Sequence, residues 1–80
     1  METIILTGLS ELTVKTIYDN GVQSEHTVID ITTIDATNKA LRLDEKNLGA
    51  KVAKCKRAIH EVTCNGKKIN PDIETLFNHS

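Results

Sequence analysis

The side chains able to do chemistry in this chain are few and scattered. They are two cysteines (Cys55 and Cys64) and three histidines (His26, His60 and His79). Cys55, His60 and Cys64 read C-x4-H-x3-C. Zinc wants four ligands in a tetrahedral array and is usually held by closely spaced cysteine pairs. Here only three ligands are local, and no C-x-x-C occurs. On a single helix Cys55 and His60 would also point in different directions. The simpler expectation is a core cysteine at 55, a surface histidine at 60 and no metal.

Nucleophilic catalysis finds no better footing. There is no G-x-S-x-G elbow and no cysteine with a local catalytic signature. Phosphate-binding loops of the Walker or G-x-G-x-x-G type are absent, and the four glycines stand alone at turn positions. A catalytic site also needs a pocket and a supporting shell, and a chain of 80 residues has little structure to spare for either. The expectation is a protein that is not an enzyme and carries no cofactor.

What must position any functional surface is therefore one small domain, residues 1–80. A domain of this size buries only about 60–65% of the surface its unfolded chain exposes. Tyr18 and Phe77 are the only aromatic residues, so the core must be aliphatic. Two cysteines suit a reducing compartment better than a disulfide framework. The longest apolar run, Ile4–Leu6, is far short of the roughly 20 residues that cross a bilayer. Met1-Glu2-Thr3 does not resemble the start of a signal peptide. A complete, cytoplasmic protein with no membrane contact is expected.

The first part of the chain reads as sheet. Thr3–Thr7 is a short β-branched run that Gly8 and Ser10 should end. Leu12, Val14, Thr16 and Tyr18 share one face of a second strand, because side chains alternate. Asp19-Asn20-Gly21 is a strong turn signal, since Asn-Gly accepts the positive φ angles of a tight hairpin. The return strand runs through Val22–Ile34. Residues 35–39 read as a turn, and Ala40–Leu43 as a fourth strand. A long helix should follow, because Leu48, Val52, Cys55, Ile59 and Val62 are spaced 4, 3, 4, 3. Asp44 is its N-cap in this reading. The helix either runs to Cys64 with Asn65-Gly66 as its cap, or stops near His60 so that residues 61–69 form a second hairpin; the apolar spacing favours the first. Asn70-Pro71 opens a short C-terminal helix, with Ile73, Leu76 and Phe77 as its apolar face. The expected fold is α+β: a three- or four-stranded antiparallel meander, one long amphipathic helix across it, and the short terminal helix.

Charge supplies the one functional direction. Net charge is −1, but residues 1–45 hold eight acidic side chains against Lys15, Lys39 and Arg42. Residues 46–68 hold seven basic side chains against Glu61 alone. Lys51, Lys54, Lys56, Arg57, Lys67 and Lys68 form the candidate binding surface on the basic stretch 46–68. A charge run is most often a solvated face. If it does more, it steers an acidic protein surface toward the domain or contacts nucleic-acid phosphates. The helix interior offers one arginine and no Asn or Gln for reading bases, and the chain has few aromatic platforms for single strands. The favoured expectation is a protein–protein interaction or regulatory module, such as a phage-type or mobile-element-type inhibitor of a larger protein. The alternative is an accessory protein that binds nucleic acid through phosphates. An exposed sheet edge could also pair with a second copy to give a homodimer.

Overall fold

The computed structural model describes residues 5–77, and the expectations for Thr3, Ile4 and His79 lie outside them. Two β-hairpins flank one helix in the order β1 (Ile5–Tyr18), β2 (Gln23–Thr32), α1 (Thr33–Val52), β3 (Arg57–Cys64) and β4 (Lys67–Leu76). The strands form one antiparallel sheet in the order β2-β1-β3-β4. The α+β class and the antiparallel sheet are as expected. The meander is not: after the first hairpin the chain crosses through α1 and adds β3 on the far side of β1.

The first turn follows its sequence signal. Gly21 takes φ 89, Tyr18 N–H donates to the Val22 carbonyl at 2.9 Å, and Val22 N–H donates to Asn20 Oδ1 at 3.1 Å. The second hairpin is the alternative that the spacing disfavoured. Asn65 (φ 53) and Gly66 (φ 79) both adopt the left-handed region that a type I′ turn requires. The sheet is larger than expected, because β1 runs 14 residues through Gly8 and Ser10 and because residues 57–76 join it. The pairing of β1 with β2 shifts register between Ile5 and Ser10, so the two small residues mark an irregularity and not an end.

The helix sits about a dozen residues earlier than its apolar spacing implied. Thr32 is the N-cap, with its hydroxyl accepting Asp35 N–H at 3.1 Å. Asp35 in the first turn and Lys51 in the last both suit the macrodipole. Thus the expected turn at 35–39 and strand at 40–43 are helical, and Asp44 is buried in mid-helix instead of capping it. The stripe facing the sheet is Thr33, Ala36, Thr37, Ala40 and Asp44. Its small side chains let the helix lie close to the strands. A kink at Gly49 interrupts the helix before its last residues.

The expected C-terminal helix is strand β4. It pairs with β3 along its length, with a register shift opposite Glu61 that accommodates Pro71. A proline has no N–H to give a ladder and is tolerated at a sheet edge or bulge, where Pro71 stands. The 4, 3, 4, 3 spacing misled because it crosses three elements. Leu48 and Val52 belong to α1, Cys55 to the connection, and Ile59 and Val62 to opposite faces of β3.

The core is mainly aliphatic, as composition required. Leu12, Val14, Ala36, Ala40, Val62 and Ile73 form its main cluster. Tyr18, Cys55 and Ala58 form a second, with Leu48, Val52 and Phe77 against it. Cys55 is a buried core thiol, as expected, and neither cysteine is in a disulfide.

Candidate protein-binding groove

Polar groups are concentrated where the helix meets β1 and β2. Asp44 is 1% exposed. Its Oδ2 accepts from the Tyr18 hydroxyl and the Ser24 hydroxyl, each at 2.6 Å, and its Oδ1 accepts from His26 Nε2 at 2.6 Å. Ser, His and Asp are the members of a hydrolytic triad, but their wiring differs from one. A nucleophile needs its hydroxyl on the base, whereas the Ser24 hydroxyl and the His26 imidazole both point at the carboxylate. The cluster is built to hold the helix on the sheet. It also fixes Tyr18, whose phenol is pushed well above its ordinary range by burial and then by Asp44.

His60 is not the surface residue expected. It is fully buried on the inner face of β3, where strand alternation places it. Its ring nitrogens bond Thr16 Oγ1 and Thr75 Oγ1, both at 2.8 Å. Burial lowers its pKa to about 4, against a smaller opposing pull from Asp44. Cys55, His60 and Cys64 do not converge, and no group of three or more metal-ligating side chains occurs among the described residues.

Beside this polar cluster lies a groove of about 520 Å³ along one flank of α1. The helix contributes Asn38, Leu41, Arg42 and Glu45, which the i, i+3, i+4, i+7 rule puts on one side. Tyr18 and Phe77 form the floor, with ring centroids 6.2 Å apart and planes 16° apart. Val52 and Ala53 close the end beyond the Gly49 kink.

The first hairpin turn secures that end. Asp19 Oδ2 accepts from the backbone N–H groups of Lys56 (2.9 Å) and Arg57 (3.3 Å). The Lys56 N–H is the largest reason the Asp19 carboxyl stays below its usual range. Asn20 Nδ2 donates to the Lys51 carbonyl at 2.8 Å, and Phe77 N–H donates to the Lys56 carbonyl at 2.8 Å. Residues 51–57 therefore form a tethered wall and not a loose linker. Phe77→Ala should cost about 2 kcal/mol, from lost burial and ring stacking. The denaturation midpoint checks this, and an unchanged midpoint would detach the end of β4 from the groove floor.

The six candidate basic residues fall into separate places. The basic stretch 46–68 is not one helix. Lys51 lies in the last turn of α1, and Lys54 and Lys56 lie in the connection to β3. These three belong to the groove end of the molecule: Lys54 follows Ala53 in the wall, and the Lys56 carbonyl holds Phe77. Arg57 starts β3 and reaches Glu74 at 3.8 Å across the strands. Lys67 and Lys68 sit past the Asn65-Gly66 turn at the other end of β3, about 23 Å away at strand rise. Lys68 pairs with Asp72 (3.2 Å) and Glu61 (3.7 Å), and Asp72 is the main cause of its raised pKa. Exposed pairs of this kind contribute little to stability.

Sequence reasoning missed Tyr18, Leu41, Arg42, Val52 and Phe77 as site residues. The spacing of 38, 41, 42 and 45 is a usable signal only once α1 is placed at 33–52. No helix among the described residues is long and apolar enough to cross a membrane. The chain matches no protein-family model, no curated protein and no solved structure.

Proposed function

We propose that this domain is a non-enzymatic protein-interaction module whose groove takes an acidic segment of a larger protein, anchored by apolar side chains. The carrying observation is the groove itself: an apolar floor and wall of Tyr18, Phe77, Leu41 and Val52, with Arg42 on its helical side. Lys54 and Lys56 border it through their neighbours Ala53 and Phe77. Glu45 and Asn38 supply polar contacts that would fix orientation. An apolar pocket with a few placed polar groups is the usual form of a binding site, and Lys54 and Lys56, next in the chain to the groove wall, would steer a negatively charged occupant toward it. A module of this kind regulates by occupancy: it blocks or tethers the protein it holds. Such action needs no catalytic group and suits a cytoplasmic inhibitor.

Affinity capture from nuclease-treated extract tests the proposal. The wild-type domain should retain one dominant protein. Leu41→Asp, which puts a charge on the apolar wall, and the pair Lys54→Glu/Lys56→Glu, which reverses the border, should each reduce its recovery at least tenfold. Full recovery with both variants would remove the groove from consideration. Retention that vanishes on nuclease treatment and falls steeply with salt would instead assign the basic border to nucleic-acid phosphates.

A further inference from the structure

Among the described residues the outer face of the sheet carries no helix, and on it Ile29, Ile31 and Leu76 are 58%, 45% and 73% exposed. The two central strands place three pairs in register across that face: Thr13 beside Thr63, Lys15 beside Glu61, and Ile17 beside Ile59. Each pair is like with like or cation with anion, which makes the strip over the β1–β3 seam complementary to itself. We infer that this face is an interface between two copies of the chain, packed sheet on sheet about a two-fold axis parallel to the strands and over the β1–β3 seam. That axis lays β1 of one copy over β3 of the other at the same level. Lys15 then meets the second copy's Glu61, Ile17 meets its Ile59, and Thr13 meets its Thr63, each contact occurring twice, as an isologous interface requires.

Size and edge chemistry support this occupant. Four strands about 4.8 Å apart and about eight residues long present roughly 500 Å² on each copy, or roughly 1,000 Å² in all. That is about the lower bound for a specific interface, so the dimer should be a weak one. Pairing edge to edge is the other route to a homodimer, and both edges are blunted. On β2, Lys39 Nζ donates to the Ile29 carbonyl (2.8 Å) and to Asp30 Oδ2 (2.9 Å), while Asp30 Oδ1 accepts Ile31 N–H (2.7 Å). This clip occupies polar groups that an added strand would need. On β4, Pro71 and the register shift interrupt the edge. Face-to-face packing leaves the helices outermost, so each groove stays open in the dimer.

Sedimentation velocity on the whole chain, from about 1 to about 300 µM, reads the result in the concentration range expected of such a dimer. The mass should rise with concentration from 8.8 kDa toward twice that value. Ile59→Lys should hold the chain at monomer mass. Lys15→Glu should weaken association at least tenfold by setting acid over acid, and Lys15→Glu/Glu61→Lys should recover it to within about threefold of wild type. Far-UV circular dichroism on each variant confirms that the fold is retained. A wild-type chain that stays monomeric throughout, a dimer indifferent to Ile59→Lys, or a double variant no better than Lys15→Glu alone would each overturn the inference. None of these outcomes bears on capture by the groove, which is read separately.

Discussion

Asp44→Ala should remove a large share of the stability of this domain. Three donors converge on that carboxylate from β1 and β2, at 2.6 Å each. Truncation strands the buried Tyr18 hydroxyl and leaves the half-buried Ser24 hydroxyl and His26 imidazole without their acceptor. Removing one member of a buried, charge-assisted network costs about 3–5 kcal/mol, because the groups left behind keep their desolvation penalty. A domain of this length has only about 4–12 kcal/mol in total. Asp44→Asn should lose nearly as much, since the amide offers one acceptor oxygen and turns two donors toward donors. Tyr18→Phe removes a single bond to the carboxylate and should cost about 2 kcal/mol. Urea denaturation of the three variants measures the ordering. A loss under about 1 kcal/mol for Asp44→Ala would show that the helix is held by its small-residue stripe alone.

Acid should weaken the fold through His60. In the native state this imidazole is buried between Thr16 and Thr75 and titrates at about 4, whereas an unfolded histidine titrates near 6.5. Below the unfolded value the unfolded chain binds a proton that the folded chain refuses, so stability falls as pH falls. The contribution is intact above about pH 6.5, declines below it, and is gone once the folded group also protonates near pH 4. A displacement of this size corresponds to about 3 kcal/mol across the window. His60→Gln keeps a polar side chain at the site and removes the titration. Its unfolding free energy should be lower at pH 7 and nearly flat from pH 7 to pH 4 by comparison. Equal pH slopes in the two proteins would show that another group carries the acid sensitivity.

How legible the fold was depended on which residues did the packing. The hairpin at Asp19-Asn20-Gly21 could be read because its turn needs positive φ, and Asn-Gly states that need locally. Leu12, Val14, Thr16 and Tyr18 could be read as one buried face because strand alternation is local too. The helix could not be read in this way. Its buried stripe is Thr, Ala, Thr, Ala and Asp, so the side that meets the sheet carries almost no large apolar group. Thr32, Thr33 and Ile34 are β-branched and continue the texture of β2, although a Thr at 32 with an Asp at 35 is also a cap signal. Pro71 and the acids after it likewise carry the marks of a helix start. Tertiary pairing with β3 overrides them, because an edge position asks nothing of the proline N–H.

The candidate site was legible only in part. Charge counting pointed to residues 46–68, but none of the six chosen residues lines the groove; Lys51, Lys54 and Lys56 stand only beside Val52, Ala53 and the connection to β3. Arg57, Lys67 and Lys68 were grouped with them by a helix that does not exist, and β3 carries the last two to the opposite end. The apolar part of the groove joins positions 18, 41, 52 and 77. No local pattern links residues so far apart; only the crossover through α1 and the closing hairpin do. The pairing of buried Asp44 with half-buried His26 escaped notice for the same reason. Asp44 looked like a cap, and His26 stands 18 residues before it.

The groove proposal is tested most directly by methyl-resolved NMR of the labelled domain, titrated with the protein that it captures. The Leu41 and Val52 methyls report on the groove, and the Ile17, Ile29 and Ile59 methyls report on the outer sheet face. If the groove is the binding site, Leu41 and Val52 should shift and saturate with partner concentration. The three isoleucines should stay at the positions they hold in the domain alone. Shifts confined to Ile17, Ile29 and Ile59, with Leu41 and Val52 unmoved, would contradict the account and transfer the binding site to the sheet.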